Sequence, residues 1–207
     1  MNLEVKITPH LKKLAKKSSA VRKQFYFSPK ELKGKGKSLD PLKEADYSPL
    51  KGLLHRYQNR ALILLTLNCA AYCRFCFRRR MVSNLKEGVL NKKDFQKIIL
   101  YLKAHPKIKE VIISGGDPLT IPDLLEYFLK QLIKLKQIKI IRIGTRLIVS
   151  DPHKINQKII QILNLVQKQA LYLLLHFEHP DEITPQTREA IQKLRKTRAI
   201  LLSQSVF

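Results

Sequence analysis

The chain has 207 residues, and its 40 Lys and Arg against 16 Asp and Glu give a formal net charge of +24 at pH 7. Hydrophobic residues at 44% and charged residues at 27% are typical of globular proteins and exclude wholesale disorder. No apolar run reaches the ~18 residues of a membrane-spanning helix, and the basic N-terminus lacks the apolar segment of a secretory signal, so we predict one cytoplasmic domain with no membrane partner.

The positive charge is spread over almost the whole chain rather than gathered in one stretch. Lysines recur from end to end, and the composition is also rich in Ile and poor in Gly, as an AT-rich genome would produce. A high charge is the usual electrostatic footprint of nucleic-acid binders. Because the lysines are dispersed, we favour a solvated, lysine-rich surface over nucleic acid as the principal partner.

Residues 1–55 differ in composition from residues 56–207. They contain four of the ten prolines, two glycines within 33–37 and only short apolar runs. We predict an N-terminal extension, irregular or partly helical, that packs on a main domain of residues 56–207.

From residue 60 onward, strand-like and helix-like segments alternate. The predicted strands are Ala61–Leu67, Val111–Ile113, Ile138–Ile143, Leu171–Phe177 and Ala199–Val206. The predicted helices are Lys92–Ala104, Ile121–Leu135, Ile155–Val166 and Thr184–Lys196. Repeated βα units with continuous apolar strands indicate an α/β fold with a parallel sheet buried on both faces. About five units are present where a complete eight-fold barrel needs about 250 residues, so the sheet is open, the barrel is partial, or part of it is missing.

All three cysteines lie in one loop after the first predicted strand, at Cys69, Cys73 and Cys76. An odd number of cysteines in a reducing compartment argues against a disulfide framework. A closed zinc site would need a fourth ligand from a distant histidine such as His55, His105 or His176. A [4Fe–4S] cluster held by three thiolates would instead leave one iron free to bind a small molecule.

A glycine-rich segment, Ser114-Gly115-Gly116-Asp117, ends the second predicted strand. Glycines allow a ligand to approach the backbone closely, although an ordinary βα turn would also use them. Both this segment and the cysteine loop follow parallel strands, so they are expected at the same edge of the sheet, where barrel active sites lie.

The Cys-x3-Cys-x2-Cys loop resembles that of radical SAM enzymes, and a series of further motifs resembles the lysine 2,3-aminomutase family. In chain order these motifs are Ile7-Thr-Pro-His10, Asp40-Pro-Leu, His55-Arg-Tyr-Gln-Asn-Arg60, Cys76-Phe-Arg-Arg-Arg80, Ser114-Gly-Gly-Asp-Pro-Leu119, Arg142-Ile-Gly-Thr-Arg146, His176-Phe-Glu-His-Pro-Asp-Glu-Ile183 and Ser203-Gln-Ser205. The resemblance implies a partial (β/α) barrel of the radical SAM type. Two motifs, Cys73-Arg-Phe-Cys-Phe-Arg-Arg79 and Gly115-Gly-Asp-Pro-Leu119, are more similar to the branch that makes β-lysine for modifying elongation factor P.

The resemblance implies an isomerase with a [4Fe–4S] cluster, S-adenosylmethionine and pyridoxal phosphate. In that chemistry a radical generated from S-adenosylmethionine removes a hydrogen from the β-carbon of lysine, and the α-amino group, carried by pyridoxal phosphate, moves to that carbon. The cofactors supply the chemistry, and the protein supplies positioning and exclusion of water. A reductant such as flavodoxin or ferredoxin and a homo-oligomeric assembly are also implied.

The resemblance also assigns site residues by position. It places Arg56 and Arg60 on the phosphate of pyridoxal phosphate, with Tyr57 against its ring, and Arg78 on the substrate carboxylate. Arginine suits both roles because its planar guanidinium can form bidentate hydrogen bonds with a phosphate or a carboxylate.

The remaining assignments concern the iron–sulfur cluster and S-adenosylmethionine. The three cysteines are the metal ligands, and the cofactor-binding residues are Ser114, Gly115, Gly116, Asp117, His176 and Gln204. Glu178 and His179 belong to the same motif as His176, but they could equally be turn residues with no role in the site.

Compared with the family, the sequence stops early, at Phe207. The family's acidic residues for the ε-amino group and its pyridoxal phosphate lysine lie beyond this point, so we expect the chain alone to be incomplete as a catalyst and leave its amino-acid substrate open. The alternatives are a non-catalytic iron–sulfur remnant, half of a split enzyme completed by a second polypeptide, and a basic zinc or nucleic-acid-binding protein.

Overall fold

The computed structural model describes residues 3–33, 38, 40–82, 88 and 90–206. Its centre is a six-stranded sheet whose strands are adjacent in chain order. The strands are β1 Leu53–Tyr57, β2 Arg60–Thr66, β3 Glu110–Gly115, β4 Ile140–Thr145, β5 Ala170–His176 and β6 Ile200–Gln204. β1 pairs antiparallel with β2, and β2 to β6 are parallel.

Strand order identifies the architecture. Each parallel strand pairs with the next one along the chain and the order never reverses, whereas a doubly wound sheet reverses its order at a switch point. Successive crossovers therefore advance in one direction around the sheet, as they do in a (β/α) barrel. The predicted α/β class and partial barrel are confirmed.

Eight α-helices accompany the sheet in the described residues. They are α1 Pro9–Lys17, α2 Ser19–Phe25, α3 Arg79–Val82, α4 Lys92–Ala104, α5 Pro122–Leu132, α6 Leu147–Ser150, α7 Gln157–Leu163 and α8 Pro185–Leu194. Helix starts carry the expected caps: Asn91 and Asp94 form a capping box on α4, and Thr184 caps α8 ahead of Pro185. None of these helices is long and apolar enough to cross a membrane.

The main core lies between the sheet and the helices. Strand residues such as Ile63, Ile113 and Ile143 are fully buried there, together with Ile98 of α4 and Phe128 of α5. The opposite face of the sheet differs from the prediction of two buried faces, because alternate residues of β4 and β5 are only half-buried. Those residues belong to the face that lines the cavities described below.

The N-terminal segment combines predicted helix with an unpredicted strand. Leu11, Val21 and Phe25 of α1 and α2 are fully buried in the same core as the sheet. β1 spans the predicted border at residue 55 and was not predicted, because its five residues acquire strand geometry by pairing with β2, Leu53 opposite Ile63. The glycine-containing stretch 34–37 lies outside the described residues.

Candidate functional site

A cavity lies at the carboxyl ends of the five parallel strands. Each strand end contributes to its wall. The contributing residues are the cysteine loop after β2, the Ser114–Asp117 segment at the end of β3, Gly144 and Thr145 of β4 with Arg146 directly after it, His176 of β5 and Gln204 of β6. Side chains that follow successive parallel strands converge at this edge, which is where barrel enzymes place their active sites. The cavity thus brings together all the residues predicted for the cluster and S-adenosylmethionine, and also Arg78.

The N-terminal segment holds the cysteine loop in place. The backbone N–H of Tyr72 donates to the carbonyl of Lys6 at 2.9 Å, and that of Arg74 donates to the carbonyl of Gln24 at 2.8 Å. Arg74 is itself buried and forks onto Glu31, with Nη2 2.8 Å from Oε2. Both neighbours of Cys73 are therefore anchored by residues far away in sequence.

The three thiols are reduced and partly buried in the described structure. Burial raises the pKa of Cys69, and the nearby carboxylate of Asp117 raises it further. Burial also raises the pKa of Cys73 and of Cys76, opposed by the Arg146 guanidinium at Cys73 and by the backbone N–H of Arg78 at Cys76. Thiols of this kind are neutral in the free protein, so metal binding has to release their protons.

The donor set fits an iron–sulfur cluster. Three sulfur donors from one loop suit zinc or an iron–sulfur cluster. In a [4Fe–4S] cluster each cysteine binds a different iron, and all three cysteines line one cavity here.

The histidines considered as a fourth zinc ligand are engaged elsewhere. His55 Nδ1 lies 2.8 Å from the Tyr101 hydroxyl, and His105 stacks on the Tyr101 ring at 3.9 Å between centroids. Neither histidine lines the cavity. His176 does line it, but its Nε2 is paired with Glu178.

The two glycines of Ser114–Asp117 seat the cysteine loop against β3. Gly115 has a φ of +112°, and a Cβ there would lie 2.4 Å from the carbonyl oxygen of Thr66. A Cβ on Gly116 would lie 2.2 Å from the carbonyl oxygen of Asn68, the residue before Cys69. Glycine is needed at both positions because the backbones of two site loops pack closely there. The sequence alone did not reveal this packing.

Asp117 joins the ends of β3 and β4. Its buried carboxylate accepts bonds from Thr145 Oγ1 at 2.8 Å, from the Arg146 N–H at 2.7 Å and from the Leu119 N–H at 3.1 Å. Burial raises the pKa of Asp117, and these hydrogen bonds oppose the rise. The carboxylate is occupied by groups of the protein, so in this structure Asp117 shapes the cavity wall.

Sequence reasoning missed Arg146 as a site residue. It is buried, lines the cavity and donates from Nη1 to Cys73 Sγ at 2.8 Å. Its position directly after a strand of the sheet was the available signal, because side chains at the carboxyl ends of barrel strands face the active site.

His176 and Gln204 are opposite each other in the β5–β6 register. Burial lowers the pKa of His176, the Arg146 charge lowers it further, and Glu178 opposes both. The Gln204 side chain is exposed and lines the same cavity.

A second cavity holds the residues predicted for pyridoxal phosphate. Arg56, Tyr57 and Arg60 line it. The Arg56 guanidinium lies over the rings of Tyr47, at 5.0 Å, and Tyr57, at 5.8 Å.

The charge of Arg60 is partly matched within the protein. Arg60 Nε lies 3.0 Å from Oε2 of the buried Glu110, whose other oxygen lies 2.7 Å from Arg142 Nε. Two arginines thus share one carboxylate, which leaves the trio with net positive charge beside the second cavity.

Arg78 lines both cavities. It is buried and forks onto the buried carboxylate of Glu44, with Nη2 at 2.7 Å and Nε at 3.0 Å from Oε1. The arginine predicted to bind a substrate carboxylate therefore already binds a carboxylate of the protein.

Comparison with known proteins adds two findings. Residues 63–203 match the family model of the Radical SAM superfamily. The chain is also similar to proteins named L-lysine 2,3-aminomutase: 41% identical over 172 residues to that of Escherichia coli, covering 83% of this chain and 49% of that protein, and 35% identical over 210 residues to that of Clostridium subterminale, covering 99% and 50%. A third, from Methanococcus maripaludis, is 38% identical over 168 residues, covering 81% and 38%. The chain spans about half or less of the length of these relatives.

Proposed function

Since this chain belongs to the radical SAM superfamily, we propose that it holds a [4Fe–4S] cluster and S-adenosylmethionine for an aminomutase reaction. The substrate we propose is lysine, whose α-amino group would move to the β-carbon. One observation carries the proposal: the cavity with the three cysteines adjoins, at Arg78, a cavity with a pair of arginines suited to a phosphate. The names of the relatives support the same reaction.

In the first cavity we assign the residues as follows. Cys69, Cys73 and Cys76 hold the cluster, and the Ser114–Asp117 segment, His176 and Gln204 line the space left for S-adenosylmethionine. When bound, the cluster and S-adenosylmethionine supply the radical that removes hydrogen from the substrate. The aromatic rings on the wall exclude water, which protects a reactive species from side reactions.

In the second cavity Arg56 and Arg60 bind the phosphate of pyridoxal phosphate, and Tyr57 packs on its ring. The bidentate geometry of guanidinium suits a phosphate. The charge of Arg60 is only partly neutralised, because Arg60 shares the Glu110 carboxylate with Arg142.

Arg78 stands between the two cavities and is the proposed ligand of the substrate carboxylate. Its bonds to Glu44 use Nε and Nη2. Within the described residues Nη1 has no hydrogen-bond acceptor, so a substrate carboxylate can bind there, while Glu44 keeps the guanidinium oriented.

The proposal is tested by anaerobic reconstitution with iron and sulfide. The wild-type chain should take up a cluster with the absorption and EPR spectra of [4Fe–4S], and the triple variant Cys69→Ala, Cys73→Ala, Cys76→Ala should not. With dithionite and S-adenosylmethionine, the reconstituted chain should then release 5′-deoxyadenosine. Equal iron–sulfur content in wild type and triple variant would contradict the assignment.

A second candidate is an iron–sulfur module that binds the cluster and S-adenosylmethionine without completing the isomerisation. The observation that favours it is the coverage, since the chain spans about half or less of the relatives' length. Assaying β-lysine from lysine with pyridoxal phosphate, S-adenosylmethionine and dithionite separates the two. β-Lysine supports the aminomutase, whereas 5′-deoxyadenosine without β-lysine supports the module.

A further inference from the structure

Arg146 makes a direct contact with one of the three cysteines. Its Nη1 donates to Cys73 Sγ at 2.8 Å. Arg146 is 8% exposed, so water competes little for this bond.

The guanidinium is held in place from several directions. Its Nη2 donates to Glu182 Oε1 at 2.9 Å and also to the Gln24 side chain. The rings of Phe25 and Phe75 lie 4.8 Å and 5.1 Å from its central carbon.

The partner carboxylate is fixed as well. Glu182 is fully buried, and its second oxygen accepts the Glu178 N–H at 2.9 Å. The backbone N–H of Arg146 is bound by Asp117. The donor aimed at Cys73 is thus pre-oriented by contacts that do not involve sulfur.

We infer that Arg146 is a positioning residue for the cluster, orienting Cys73 and raising the reduction potential of the cluster bound to it. The inference rests on the proposed function, in which Cys73 is a ligand. Hydrogen bonds to cluster sulfurs are among the determinants of cluster potential. A cationic donor at a ligand sulfur stabilises the reduced cluster, which carries one more negative charge, more than the oxidised one.

The same arrangement could serve only to pair Arg146 with Glu182 in the core. The two roles differ in what they affect: a purely structural pair would change stability, whereas a donor to sulfur changes the potential of a cluster that is still fully assembled. The midpoint potential is therefore the discriminating measurement.

The test compares wild type with Arg146→Met and Arg146→Lys after anaerobic reconstitution. Iron and sulfide contents are measured first, and the one-electron couple is then titrated with dithionite and followed by EPR. Arg146→Met should hold its cluster at a more negative midpoint potential than wild type. Arg146→Lys keeps a cationic donor and should fall between the two.

Arg142→Met is the matched control. Arg142 lies on β4, the strand that Arg146 directly follows, and also pairs with a buried carboxylate, Glu110, but it makes no contact with the cysteines. Its cluster should titrate like the wild-type cluster. If Arg146→Met loses the cluster altogether, Arg146→Gln is titrated in its place, because it keeps an N–H donor and removes the positive charge. A wild-type potential in a fully loaded Gln variant contradicts the inference.

Failure of the inference and failure of the proposed function remain distinguishable. Fully loaded Arg146 variants with unchanged midpoint potentials would overturn the role of Arg146 and leave the cluster assignment intact. A wild-type chain that takes up no cluster would overturn both.

Discussion

At the scale of single residues, the geometry of the site depends on a few positions. At each of them one side chain, or the lack of one at a glycine, fixes how two segments of the chain pack. Gly116 allows the end of β3 to lie against Asn68, directly before Cys69. Glu44 fixes the guanidinium of Arg78, and Glu182 fixes that of Arg146, each at a cavity wall. None of these contacts is between sequence neighbours, and each involves a charged group or a backbone carbonyl.

Replacing Gly116 by Ala should destabilise the protein by about 2–4 kcal/mol, because the new Cβ would meet the Asn68 carbonyl at 2.2 Å and one backbone segment has to move. The free energy of unfolding is measured in urea. Gly144→Ala is the control, because a Cβ on Gly144 would lie no closer than 3.5 Å to its nearest neighbour, Ser114 Oγ. The free energy of unfolding of this variant should fall by no more than about 1 kcal/mol. Equal losses in the two variants would contradict this explanation.

Residue-level pairing was the least predictable part of the site. The cysteine spacing and the Ser114–Asp117 segment were evident because their residues are close in sequence. The Arg146–Cys73 and Arg78–Glu44 contacts span 73 and 34 residues, so they depend on how loops meet in the fold.

At the scale of elements, the N-terminal segment acts as a clamp on the cysteine loop. Arg74 makes the main connection between the two, because its buried guanidinium donates hydrogen bonds to Glu31 and to the Leu3 carbonyl of the N-terminal segment. This gives the extension a structural role that its composition did not indicate.

Arg74→Met should cost about 2–4 kcal/mol in the free energy of unfolding, because it leaves the partly buried Glu31 with only Arg79, 3.9 Å away, and removes the bond to the Leu3 carbonyl. The reconstituted variant should also lose its cluster faster under air, as followed by absorbance. Arg22→Met is the control, because Arg22 is exposed on α2 and lies over the Tyr26 ring. A wild-type rate of cluster loss in Arg74→Met would argue against the clamp.

The packing of α1 carries a pH dependence. Burial lowers the pKa of His10 below its ordinary value of 6.5, and the nearby His153 lowers it further. The folded state therefore binds fewer protons than the unfolded state near this pH. The stability that neutral His10 contributes is present above pH 6.5 and is lost as the pH falls toward the folded-state pKa.

His10→Gln should accordingly weaken the pH dependence of unfolding. Urea midpoints measured from pH 7 to about pH 5 should fall less in the variant than in the wild type. Parallel curves would show that His10 does not contribute this dependence.

The elements themselves were largely predictable, because continuous apolar strands and amphipathic helices have distinct periods. All five parallel strands lie where the apolar runs indicated. β1 was missed because its strand geometry depends on pairing with β2 rather than on its own pattern. The half-buried inner face of β4 and β5 was missed because apolar composition does not distinguish a packed face from a cavity wall.

At the scale of the whole molecule, one core joins the N-terminal segment to the sheet. Leu11 is fully buried among the same residues as the strands and the large helices. Unfolding should therefore be cooperative across the predicted border at residue 55.

Leu11→Ala should shift a single calorimetric transition to lower temperature, at a loss of about 2–5 kcal/mol. Lys12→Ala, at the neighbouring exposed position, should leave the transition almost unchanged. Two separate transitions, of which Leu11→Ala shifts only one, would show that residues 1–55 and 56–207 unfold independently.

The position of Arg78 between the cavities has a thermodynamic consequence. Its guanidinium is shared by both walls and is tied to Glu44 from the N-terminal segment. A ligand in either cavity that draws Arg78 toward itself alters the wall of the other. Because such coupling is reciprocal, whatever one ligand adds to the affinity of the second, the second adds equally to the affinity of the first.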